Sequence, residues 1–196
     1  MKMMSSMNLR LSGNLEEDTT EFFTTLEYSD IAEHSKQVAR TAVELAIRFG
    51  VDAEQARMAG FLHDVGRMIP DDQKVEVCRQ ANISVLPEEI EYVGILHQKL
   101  APVIAREMFG CNDEDVMRAI ECHTTLKAEA TDLEKVCYLA DKLSWPASES
   151  SFHDAVEHAL NTSLNAAVLC YVEWCLASKP KVVHPWLREA FESLKG

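Results

Sequence analysis

At 196 residues the chain suits one domain, or one domain with a helical extension, and it can close a substantial core. Apolar residues make up 47% and charged residues 26%, ordinary for a soluble globular protein. Its 19 Lys and Arg against 32 Asp and Glu leave a net charge of −13, which argues against non-specific nucleic-acid binding and against docking on an anionic membrane, though a local basic pocket for a phosphate-bearing small molecule stays open.

Helical periodicity recurs along the chain and strand-type alternation does not. Residues 1–20 read as a loose N-terminal arm and residues 21–196 as a single domain. In 34–49, Val38, Ala42, Leu45, Ala46 and Phe49 recur at three- and four-residue steps, and Gly50 is a stop. Asp52 caps the next helix, which carries Ala56, Ala59, Phe61, Leu62 and Val65 and stops at Gly66. Asp71 or Asp72 opens a short helix to about Ala81, and Pro87 with Glu88 and Glu89 forms the first turn of one that runs to about His97. Further helices are predicted over 100–109, 113–123 and 132–143. The longest covers 151–178, and Pro185 begins a last one. The predicted architecture is all-α, about eight helices with short connections, and its most plausible internal boundary is 144–151.

Residues 166–177 are the longest apolar stretch, well short of the roughly 20 residues a membrane span needs and interrupted by Glu173. The N-terminus lacks an apolar signal region. Cys78, Cys111, Cys122, Cys137, Cys170 and Cys175 form no C-x-x-C pair, and most fall on apolar helical positions. They read as reduced thiols in a cytosolic protein.

Seven histidines are present, and one alone on a helix face is usually structural. His63-Asp64 differs, because the pair ends the apolar string Ala59-Gly60-Phe61-Leu62. Burying that carboxylate requires a partner: a metal, the neighbouring imidazole, or Arg67 one turn on. His34 heads an upstream helix, Asp141 sits in Leu139-Ala140-Asp141-Lys142-Leu143, and His97 and His123 lie between, at or near the ends of successive helices. A helical bundle brings such positions into one cluster. Imidazole with carboxylate suits Fe, Mn, Zn, Ni or Co.

The ordered set His34, His63-Asp64, Asp141 resembles the H…HD…D signature of the HD-domain phosphohydrolases, and His97 and His123 resemble its six-ligand, dinuclear form. Over roughly residues 30–145 the chain is similar to the bacterial YqeK-type symmetrical bis(5′-nucleosyl)-tetraphosphatases. The strings that carry this are His34-Ser35 with Val38-Ala39, Ala59 to Asp64, His123-Thr124-Thr125 and Ala140-Asp141-Lys142. The resemblance implies an HD-domain helical bundle and a small nucleotide as substrate, with diadenosine tetraphosphate split into two ADP. It implies one ion on His34, His63, Asp64 and Asp141 and a second on His97 and His123, with Asp64 bridging. Iron is the implied metal, with Mn, Ni or Co able to substitute. Such a pair activates a water for attack on phosphorus and neutralises the phosphoryl oxygens.

Asp64, Arg67 and Lys142 are the catalytic candidates. Arg67, Gln98, Thr124, Lys127 and Lys142 are the substrate-binding candidates. Arg67 reads equally as a phosphate clamp or an ion-pair partner, and Gln98, Lys99 and Lys127 as pocket rim or plain surface. The chain departs from the usual pattern at Arg67 (commonly Lys), at Leu126-Lys127 (commonly Gly-Arg or similar), and at Leu143-Ser144-Trp145-Pro146 (commonly Ile-Glu-Pro). His153 and His158 read as surface residues, His184 as the mark of a helix start, and Tyr171, Trp174, Trp186 and Phe191 as core or subunit-contact aromatics. A homodimer fits the resemblance. The rival functions are an HD nucleotidase or phosphodiesterase for other nucleotides, and a non-catalytic nucleotide-binding regulatory module.

Overall fold

The computed structural model describes residues 11–145, 151–178 and 180–195, and within them the periodic apolar positions build eleven α-helices and no strand. In chain order these are α1 (Leu15–Thr25), α2 (Ser29–Phe49), α3 (Ala53–Leu62), α4 (Asp71–Gln80), α5 (Pro87–Glu91), α6 (His97–Phe109), α7 (Glu114–Glu121), α8 (Asp132–Leu143), α9 (His153–Leu160), α10 (Leu164–Ala177) and α11 (Pro185–Lys195). Two 3-10 turns, Val65–Met68 and Val93–Leu96, lead out of α3 and into α6. No described helix is long and apolar enough to cross a membrane.

Ends form where capping chemistry predicts. Asp52 accepts from the Glu54 and Gln55 amides, Asp113 from those of Asp115 and Val116, and Gly50 and Gly110 close α2 and α6 at φ of 71° and 65°. Helix α8 is opened by Thr131, which forms a reciprocal cap with Glu134.

The all-α expectation holds, with more helices than the eight predicted. The arm expected over 1–20 is helical from Leu15, because Thr19, Phe22 and Phe23 bury one face of α1 on α2 and α3. Residues 1–10 lie outside the described set. The helix predicted over 151–178 is two. Asn161 to Ser163 interrupt it, and Ser163 caps α10 by accepting from the Ala166 amide. The apolar period runs across this break, through Leu160 and Leu164, so periodicity alone does not show it. The helix predicted over 87–97 likewise breaks at Tyr92, and α3 stops at Leu62 rather than Gly66. Most of the proposed boundary at 144–151 falls on residues 146–150, outside the described set.

Helices α2, α3, α7 and α8 pack on one another, α6 closes against α7 and the turn after α3, and α9 to α11 extend the bundle beyond α8. Two glycines set the approach. A Cβ on Gly60 would lie 2.4 Å from Ala39 Cα, and one on Gly66 would lie 2.0 Å from the His97 carbonyl oxygen. Only hydrogen fits there, so α3 sits tight on α2 and the turn at 65–68 tight on α6. Tyr171 packs edge-on to Phe152 at 4.7 Å and stacks on Trp174 at 5.8 Å, so these rings are accounted for within the chain. All six cysteines are separate thiols, four of them buried.

Helix α11 is tied down by charge. Glu89 is fully buried and takes Lys99 Nζ at 2.7 Å and His184 Nε2 at 3.0 Å. His184 Nδ1 accepts from the Trp186 amide, and the Lys99 ammonium lies 4.7 Å from the Trp186 ring centre. His184 therefore does more than mark a helix start, and Lys99 is neither rim nor surface.

Two stability outcomes follow from this packing. Gly60→Ala forces a backbone contact apart and should cost about 1–3 kcal/mol, read as a lower urea midpoint with an unchanged m-value. Glu89→Ala leaves a buried ammonium unpaired and should cost about 3–5 kcal/mol, whereas Glu44→Ala on the exposed side of α2 should change little.

Candidate metal centre

His63, His97 and His123 are positioned by the same local device. Each ring Nδ1 lies against the carbonyl oxygen three residues earlier: Gly60 at 2.7 Å, Gly94 at 2.8 Å and Ile120 at 2.8 Å. A carbonyl only accepts, so each Nδ1 carries the proton and donates it, which leaves each Nε2 with a bare lone pair. The carbonyls come from the ends of α3, the second 3-10 turn and α7, where the helical ladder runs out.

The lone pairs converge. His97 Nε2 and His123 Nε2 are 3.0 Å apart, and Asp64 Oδ1 lies 3.2 Å from the first and 3.5 Å from the second. His63 Nε2 stands 3.5 Å from Asp64 Oδ2 and 3.8 Å from Asp141 Oδ1. At the other end His34 Nε2 donates to Asp141 Oδ1 at 3.0 Å. His63, Asp64, His97, His123 and Asp141 are all buried, and His34 is nearly so.

Such a set of acceptors is unfavourable unless something positive sits among them. His63 Nε2 and Asp64 Oδ1 are buried without any hydrogen-bond partner. Burial, opposed in part by Asp64 and Asp141, drives the His63 imidazole down to about 4, so protonation does not supply the charge at neutral pH. Burial also lowers His123, against the raising effect of Asp64. Burial alone would raise Asp64 and Asp141, but the facing imidazoles and, for Asp141, Lys142 hold both carboxyls well below the usual range. Two overlapping groups have ligand atoms within 4.8 Å of one another: His34, His63 and Asp141; and His63, Asp64 and His123. His97 joins the second through its contacts to Asp64 and His123. Neutral imidazole nitrogen, carboxylate oxygen and two unsatisfied buried acceptors fit a pair of first-row divalent ions.

Other candidates fall around this centre. Arg67 Nε pairs with Asp64 Oδ2 at 2.6 Å while 44% of the side chain stays exposed. Lys142 pairs with Asp141. Thr124 Oγ1 donates toward His97 Nε2 at 3.2 Å. Gln98, expected on a rim or surface, is fully buried. Its Oε1 accepts from the Thr124 amide at 3.1 Å and the Thr125 amide at 3.3 Å, so it holds the turn after His123. Lys127 is half-buried, paired with Glu121 at 2.6 Å and lying 5.3 Å from the Trp186 ring. His153, read as surface, has Nε2 3.1 Å from the Leu143 carbonyl and ties α9 to the end of α8, whereas His158 is exposed. Trp145, which the resemblance places only within a departing segment where substrate phosphates or bases would bind, has its ring centre 4.4 Å from that of His34.

An all-α bundle with a convergent histidine-carboxylate row fits a metal-dependent hydrolase. The HD domain pattern matches residues 31–145, and the chain belongs to the HD-domain family. Three similar proteins illustrate the relationship. A Lactococcus lactis subsp. cremoris protein described as an uncharacterized protein in the pepC 5′ region is 41% identical over 74% of this chain and 75% of its own. The Bacillus subtilis symmetrical bis(5′-nucleosyl)-tetraphosphatase is 30% identical over 69% of this chain and 72% of its own. A crystal structure from Clostridium acetobutylicum, described as a predicted HD superfamily hydrolase involved in NAD metabolism, superposes with a TM-score of 0.84 at 30% identity, covering 91% and 96% of the two chains.

Chelation supplies the direct test. Stripping metal should lower Tm by roughly 5–10 °C, and Mn or Co should restore it. Without metal, the folded His63 titrates near 4 and the unfolded one near 6.5, so the unfolded chain binds more protons between these values and stability falls as pH drops through that window. Coincident melts with and without metal would contradict the site.

Proposed function

We propose that this chain is a two-metal phosphohydrolase acting on a phosphoanhydride of a nucleotide. The observation that carries the reading is the meeting of three imidazole lone pairs with two carboxylates in the buried interior. His34, His63 and Asp141 would hold one ion and His97 and His123 the other, with Asp64 between them. Ions bound there would supply an ionised water and charge neutralisation at phosphorus.

The chain's own residues do the positioning. The carbonyls of Gly60, Gly94 and Ile120 fix the ring orientations, and burial keeps bulk water from the ligand atoms. Asp64 accepts from Arg67 and faces the His97 and His123 imidazoles with its other oxygen, so one carboxylate couples the clamp to the ligand set. Arg67 and Lys142 are the cationic groups nearest the ligands and would take phosphoryl oxygens. The Thr124 hydroxyl is placed for another, and Gln98 acts through the turn that carries it. Lys127 would contribute only after leaving Glu121.

Symmetrical cleavage of diadenosine tetraphosphate, in which water adds across the central anhydride to give two ADP, is one reaction of this class. It is supported by similarity to the tetraphosphatases. Other nucleotides are supported equally by the ligand set, because none of the six side chains reads a base.

The test is elemental analysis of chain purified without chelator, followed by a nucleotide panel scored for ADP and for phosphate. Metal in near-stoichiometric amount and hydrolysis of at least one nucleotide are expected. Asp64→Ala should lose both metal and at least 10³-fold in kcat. A variant that retained both ions would exclude the bridging role. Phosphate from mononucleotides without ADP from the dinucleotide would assign the nucleotidase reaction instead.

A further inference from the structure

Among the described residues, exposed large apolar side chains are few, and one of them stands at the metal centre. Trp145 follows α8 directly, four residues after the ligand Asp141. Its ring centre lies 4.4 Å from that of His34, with the planes tilted by 30°. His34 is itself fixed from the other side by its bond to Asp141. The indole is therefore held against the outermost ligand of the row while 47% of the residue remains exposed.

A structural cover for His34 would need no such exposure, and Leu or Met would serve that purpose at lower cost. A flat π surface beside a phosphate site has a use that an aliphatic side chain lacks. A substrate phosphate at the His34–Asp141 end would leave its sugar and base to extend outward, past the ring that flanks that end. The cations near the centre, Arg67 and Lys142, are committed to carboxylates and suit phosphate, so an uncharged base requires a different contact. Stacking on an aromatic ring provides one and works for any base.

We propose that Trp145 is the stacking platform for a nucleobase of the substrate. This rests on the reading of the centre as a nucleotide phosphohydrolase and adds the element that tells a nucleotide from inorganic polyphosphate.

Tryptophan emission of the metal-bearing chain, titrated with ADP, reads the contact without turnover. ADP should quench saturably, and inorganic tripolyphosphate should not. Trp145→Phe, with Trp174 and Trp186 still present, should remove the ADP quench. In steady-state kinetics Trp145→Ala should raise KM for the nucleotide that the panel identifies about tenfold, with kcat within about twofold and metal content unchanged, and Trp145→Phe should recover most of the loss. A quench that persists in Trp145→Phe, or a Trp145→Ala variant that loses metal while its KM stays normal, would overturn the platform. If ADP quenches through Trp145 but no nucleotide is hydrolysed, the platform stands and the hydrolytic reading falls. If nucleotides are hydrolysed and neither quench nor KM depends on Trp145, the platform alone falls.

Discussion

The structure depends on an electrostatic conflict arranged on purpose. Three backbone carbonyls take the Nδ1 protons of His63, His97 and His123, and so turn three Nε2 lone pairs toward Asp64 and one another inside the core. Two acceptor nitrogens 3.0 Å apart repel unless a positive charge lies within reach, and burial pushes the His123 imidazole toward its neutral form. The bundle contributes the rest: α3 and α7, the turn before α6, and the C-terminal half of α8 all end or pass at the same point. A divalent ion would resolve the conflict, so ligand chemistry and packing argue for the same site.

That conflict explains several features at a distance from it. Gly60 has two duties, since its carbonyl orients His63 and its missing side chain lets α3 approach Ala39. Gly66 does the same for the approach of the next turn to α6, against the carbonyl of His97 itself. Gln98 is buried beside His97 and spends its amide on the turn after His123, so two ligands on different helices share one brace. The separate Glu89–Lys99–His184 cluster has no unsatisfied lone pair and docks α11. Both are buried ionic groups. Only the first leaves buried acceptors, His63 Nε2 and Asp64 Oδ1, without a hydrogen-bond partner, and only the first has the chemistry of a metal site.

Arg67 illustrates why a reading of residues one by one stops short. Phosphate clamp and ion-pair partner stood as alternatives in the sequence, and the structure shows the ion pair with Asp64 in a side chain still partly exposed. The two roles are compatible, because a guanidinium has five donors and the contact to Asp64 is made through Nε. Trp145 is the opposite case. It lay in a segment that departs from the usual pattern, and its relevance came only from the distance to His34.

Much of this protein was legible from sequence. The all-α class, the cap at Asp52 and the stop at Gly50 are effects of side chain on backbone and of apolar period, which the residue types themselves specify. The resemblance to the H…HD…D pattern picked out His34, His63, Asp64, His97, His123 and Asp141, and the bundle brings these six side chains to one place. Tertiary structure decided what has no local signature. It buried Phe22 and Phe23 and made the supposed arm a helix, it broke the last long helix at Ser163 where the apolar period continued, and it moved Gln98 and Lys99 from surface to interior. The reason is physical: periodicity records which face turns inward, whereas the burial and partner of a polar group depend on which helix arrives opposite, and that is fixed only when the bundle closes.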